Sequence, residues 1–89
     1  MQVRNMTSAA GNKVANQFII DNGEGEIFQS YETTIAIRLD GRGILLDNNA
    51  LNYSQTTSKY LYQFLGLNRK EIEQWIKEGK IKEVDLNAI

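Results

Sequence analysis

The chain of 89 residues has no cysteine, no histidine and no proline, and only one tryptophan. Without cysteine there is no disulfide framework and no thiolate zinc site. Without histidine the commonest general base, the commonest transition-metal ligand and the usual pH switch are all missing. Neither sign of charge dominates: 10 Lys+Arg stand against 11 Asp+Glu, a formal net charge of −1. A duplex-binding protein usually carries a basic excess, because phosphate neutralisation drives its affinity. A nucleic-acid mimic would carry the opposite surplus. The longest apolar runs are three residues, as in Ile44-Leu45-Leu46, far short of a membrane-spanning helix. Met1 to Met6 lacks the apolar stretch of a signal peptide. The expectation is a soluble intracellular protein, built as a single domain over residues 1–89. At this length only about 60–65% of the unfolded surface can be buried, so the core is small.

Two turn signals organise the first half. Asn22-Gly23 and Asp40-Gly41 tolerate the positive φ angles of tight hairpins. Residues 16–21 and 26–31 form the arms around the first. Residues 33–39 alternate, with Ile35, Ile37 and Leu39 on one face and Thr34, Ala36 and Arg38 on the other. Residues 44–47 follow the second turn. Four short antiparallel strands in a meander are predicted. Residues 1–13 form a loose arm or a short edge strand from Gln2 to Met6.

The period then changes. Thr57, Tyr60, Leu61, Phe64 and Leu65 lie at the offsets of a helix packed on a core. Ser54, Thr56 and Thr57 all offer a capping oxygen, and Gly66 fits the helix end. Asn68 and Glu71 make a capping box, with Leu67 and Ile72 placed for a hydrophobic staple. The second helix turns Ile72, Trp75 and Ile76 inward and ends at Gly79. Ile81, Val84, Leu86 and Ile89 give the tail (residues 80–89) spaced apolar contacts, for docking as a short strand or turn or for a partner. The predicted fold class is α+β: a small antiparallel sheet of about four strands followed by two C-terminal helices.

Candidate sites are few. Gly23-x-Gly25 and Gly41-x-Gly43 sit between strands, so they are turns and not phosphate loops. Glu24 with Glu26, and Asp47-Asn48-Asn49, carry oxygen ligands but lack the spacing of a calcium loop. The hydroxyls around Ser58 have no base to activate them; Lys59 is adjacent and diverges on a helix. These absences predict no enzyme, no catalytic residues, no metal and no cofactor. The informative segment runs from Tyr53 to Gly66. Its outer face shows Ser58, Lys59, Tyr62 and Gln63, which suit either phosphates and bases or a protein partner. A capped core helix with tyrosine hydroxyls at its rim satisfies the same pattern. Lys59, Tyr62, Gln63, Arg38 and Arg42 are the candidate partner-binding residues.

Asn16-Gln17-Phe18-Ile19-Ile20, Phe28-Gln29-Ser30-Tyr31 with Thr33 and Ala36, Leu46-Asp47, and the block Tyr53-Ser54-x-Thr56-Thr57-Ser58-Lys59-Tyr60 through Gln63-Phe64-Leu65-Gly66 resemble a family of small uncharacterised phage and prophage proteins. The resemblance covers roughly residues 11–67. It implies a phage-encoded accessory protein without catalytic activity, acting in the host bacterial cytoplasm. Such a protein would bind and inhibit or redirect a host or defence protein complex, in the manner of an anti-CRISPR inhibitor. Homodimerisation through open sheet edges is a further expectation. The alternative is a small nucleic-acid-binding module with Lys59, Tyr60, Tyr62, Arg38 and Arg42 as contacts.

Overall fold

The computed structural model describes residues 1–88. Ile89, the last apolar residue of the expected tail, lies outside the described residues. Local chemistry sets each turn. Asp21 Oδ1 accepts from the Gly23 amide at 2.9 Å, and Asn22 Oδ1 accepts from the amides of Glu24 and Gly25 at 2.9 and 3.1 Å. These Asx contacts join strands β2 (Lys13–Asp21) and β3 (Gly25–Ser30). β4 (Thr33–Leu39) and β5 (Gly43–Asp47) complete the meander. Ahead of them β1 (Gln2–Thr7) pairs with β2.

Helix α1 (Gln55–Leu65) is capped by Ser54, whose Oγ accepts from the Thr57 amide. This resolves which of the three hydroxyls starts it. Gly66 closes it at φ 71°, a left-handed conformation that costs glycine nothing. Helix α2 (Arg69–Lys77) opens on the expected capping box, with Asn68 and Glu71 exchanging bonds of 2.8 and 3.0 Å. After α2 the chain returns as β6 (Ile81–Val84), parallel to β5.

The sheet therefore has six strands in the order β1-β2-β3-β4-β5-β6, mixed rather than antiparallel. This corrects the expected antiparallel sheet of about four strands. The two extra strands are the edges. β1 is mostly exposed and β6 is four residues long, so neither carries a strong apolar alternation. The helices are C-terminal as expected, but the last strand follows them.

A second correction concerns β4. Phe28 pairs with Ala36 while Gln29 pairs with Thr34, leaving Ile35 as an extra residue. The bulge turns both Ile35 and Ala36 toward the helices, at 1% and 0% exposure. Ile37 and Leu39 consequently fall on the side away from the helices, and Arg38 lies on the helix side. The expected grouping thus fails at Ile35, which shares the helix side with Ala36 and Arg38 and not the face of Ile37 and Leu39.

The core forms between the helices and this face. Phe28, Ala36 and Leu46 line up across β3, β4 and β5, and Ile44 pairs with Ile81. Tyr60, Leu61, Phe64, Leu65 and Ile72 cover them. The Phe28 and Phe64 rings stack with centroids 5.7 Å apart and planes at 30°. The Arg38 guanidinium lies 4.5 Å from the Phe64 centroid. It also donates to the Phe64 carbonyl at 2.6 Å and to Glu26 at 2.7 Å. A cation at the carboxyl end of α1 suits the helix dipole. Beside it, Gly25 has no room for a side chain, because a Cβ would strike the Arg38 carbonyl.

Phe64→Ala should cost about 3–5 kcal/mol, as for other buried aromatics. In a double-mutant cycle with Phe28→Ala, the two rings should show a coupling of about 0.5–1.5 kcal/mol. Urea denaturation of the four proteins measures it; additive losses would mean that the stacking itself contributes nothing.

Candidate functional site

The stripe of α1 opposite its buried face carries Gln55, Ser58, Lys59 and Tyr62, at offsets of 0, 3, 4 and 7. With a 3-10 turn over Ala50–Asn52 and the start of α2, this stripe walls a surface groove of about 610 Å³. Leu51, Tyr53 and Arg69 complete its lining. None of the lining residues is acidic. Tyr62 is half-buried with its ring against the core, and Lys59 is exposed. The Lys59 Nζ lies 5.5 Å from the Tyr60 ring centroid. Arg69 is steadied by a bond to the Leu51 carbonyl at 3.2 Å and by Glu73 at 3.9 Å.

Tyr53 is oriented from beneath. Its hydroxyl donates to Asp47 Oδ2 at 3.2 Å. Asp47 is 2% exposed, and its carboxylate also accepts from the amides of Asn49 and Leu86 and from Asn87 Nδ2, at 3.0–3.1 Å. Burial alone would raise the Asp47 pKa. The donors from Leu86, Asn49, Asn87 and Tyr53 outweigh it and hold the group below its ordinary value of 3.8. Burial first, then the Asp47 charge, raises the Tyr53 pKa, so the hydroxyl stays a donor. Asn87 extends the network with a two-way amide bridge to the backbone of Thr34, at 2.9 and 3.0 Å. The carboxylate is thereby occupied by protein donors and holds the groove wall and the tail together.

The five candidate residues do not converge. Lys59 and Tyr62 share the groove. Gln63 leaves it and donates to the Thr7 carbonyl of β1 at 3.0 Å. Arg38 is committed to Phe64 and Glu26. Its contact, followed by that of Arg4, lowers the Glu26 pKa below 4.5. Arg42 is exposed in the turn between β4 and β5, near Glu24 and Asp40. Sequence reasoning overlooked Leu51, Tyr53, Gln55 and Arg69 as groove residues. The 55-58-59-62 spacing was the available signal; nothing in the sequence points to Arg69. Among the described residues no group of three or more His, Cys, Asp or Glu could hold a metal ion. No described helix is long and apolar enough to cross a membrane.

A family of unknown function, DUF8033, matches residues 1–83. The chain belongs to this family. An uncharacterised family is what the resemblance implied. The match takes in every groove residue and stops within β6, short of Asn87. No curated protein and no solved structure matches the chain.

Asp47 and Glu26 both have depressed pKa values in the folded protein. Their stabilisation is present above the unfolded carboxylate values and is lost as pH falls through the folded ones. Unfolding free energy should be level above about pH 5 and drop below about pH 4. Asp47→Asn should be less stable at neutral pH and show a shallower acid loss, the remainder coming from Glu26. Denaturant titrations of both proteins across that range test this; an unchanged acid slope would remove Asp47 from the account.

Proposed function

We propose that this protein is a phage-encoded accessory protein that acts by binding and not by catalysis. Its target is a host or defence protein in the bacterial cytoplasm, which it blocks or redirects by occupying a surface. The groove beside α1 is the observation that carries this reading. Leu51 and the rings of Tyr53 and Tyr62 offer apolar walls for one inserted side chain, and tyrosine is frequent among residues that dominate interface energies. Lys59 and Arg69 also line the groove, which has no lining carboxylate, although Arg69 is partly offset by Glu73 at 3.9 Å. That arrangement favours an acidic segment bearing an aromatic or aliphatic anchor. The phage context rests on the resemblance of the Tyr53–Gly66 block, and it is carried over by analogy.

A second reading draws on the same walls. Two tyrosines and two cations lining one groove suit stacked bases and a phosphate of single-stranded nucleic acid. The net charge of −1 makes it the lesser reading, because phosphate binding is usually driven by a basic excess.

One experiment separates the two. Nuclease-treated bacterial lysate is passed over the immobilised protein and over a Lys59→Ala, Tyr62→Ala, Arg69→Ala variant shown by thermal melting to be folded. A host or defence protein should be retained by the native chain and reduced at least tenfold on the variant, the effect of losing one interface anchor. Equal retention by both would move the functional surface elsewhere. Capture seen from untreated lysate but not from nuclease-treated lysate, together with oligonucleotide binding that weakens steeply with salt, would favour the second reading.

A further inference from the structure

The helices cover one side of the sheet, and the other side is apolar as well. Val3, Ile20, Ile27, Ile37 and Leu45 are joined by successive cross-strand pairings into one straight row over five strands. Lys82 ends the row on β6. Phe18 and Leu39 lie on the same side in the neighbouring rows. Antiparallel sheets with one solvated face normally alternate apolar and polar residues, whereas strands covered on both faces read as continuous apolar runs. Phe18-Ile19-Ile20, Ile35-Ala36-Ile37 and Ile44-Leu45-Leu46 are runs of the second kind. The row residues from Ile20 to Leu45 are half-buried, and Val3 is 59% exposed.

We infer that this face packs against the same face of a second copy, as a two-fold symmetric dimer. Three observations select a second copy as the occupant. The central row carries no carboxylate and only Lys82 as a cation, at the margin. The flanking rows set Phe18 beside Asn5 and Gln29, and Leu39 between Gly25 and Gly43. Asp47 on β5 is buried, so the face offers no exposed charge pattern for a charged partner. A straight aliphatic row is complementary to itself, as an interface around a two-fold axis requires. The area also suffices. Six strands spaced about 4.8 Å apart, taken over the central row and its two flanking rows, give a face of roughly 500–600 Å² per copy. Two copies together reach about 1,000 Å², the threshold of a specific interface. The accessible surface of 5745 Å² also exceeds the roughly 5,300 Å² usual for a monomer of this mass. The groove lies on the helix side, so the dimer leaves both grooves open and the inference does not depend on what they bind.

Sedimentation equilibrium of the full chain over a wide concentration range tests it. The expected result is a concentration-dependent rise from 10.1 kDa toward twice that mass. Ile27→Glu, at the centre of the row, should remain folded by circular dichroism and lose the dimer. Should Ile27→Glu fail to fold, Val3→Glu decides, because Val3 is too exposed to be needed by the monomer; its dimer should dissociate at least tenfold more readily. A native chain that stays monomeric throughout overturns the inference, whether the face is then found to take lipid vesicles or another protein. A folded variant that dimerises as the native chain does overturns it too.

Discussion

Phe64 is held on the sheet from two sides. Phe28 meets one part of its ring, Arg38 lies over it, and the same guanidinium ties down its carbonyl. The position of α1 follows from this one seat, since Gly66 ends the helix two residues later. The groove follows in turn, because its main wall is the outer stripe of α1. Arg38 fills this role only because the bulge at Ile35 turns it to the helix side. It stays there because Gly25 leaves the β3–β4 backbones close together. A strand irregularity thus decides where the outer face of a helix stands.

Polar groups beneath α1 are treated with similar economy. Thr57, Ser54 and Ser30 share hydroxyl contacts of 3.0 and 3.2 Å at the first turn of the helix, where Thr57 and Ser30 are buried. Gln17, 1% exposed, keeps an unpartnered side-chain oxygen. Burial without a partner is costly, and a bound water is the usual remedy. Asp47 is the opposite case: four donors surround it. Tyr53 on the groove wall and Asn87 in the tail both terminate on that carboxylate, so wall and tail share one anchor.

Features governed by near neighbours were legible in the sequence. The capping box at Asn68, the end at Gly66, the hairpin turn at Asn22-Gly23 and the buried stripe from Thr57 to Leu65 depend on residues within one or two turns. What escaped depends on partners far along the chain. β1 and β6 are strands because β2 and β5 offer them edges, not because their own patterns demand it. The bulge in β4 leaves no mark in the 33–39 alternation, so Ile35 was placed on the face of Ile37 and Leu39. Arg38 looked like a surface cation because nothing local announces the helix end that receives it. Of the groove, Lys59 and Tyr62 could be found from spacing, while Arg69 enters only through the packing of α2.

The parallel return of β6 also sets an order of events during synthesis. Strands β1 to β5 are joined by short turns and can pair as each leaves the ribosome. The face that the helices cover, and the free edge of β5, must wait until residues 48–84 have emerged. During that interval Phe28, Ala36, Leu46 and an open strand edge are presented together, the combination most prone to pairing with other chains. A ribosome that stalls within α1 or α2 would therefore release a sheet with both faces bare.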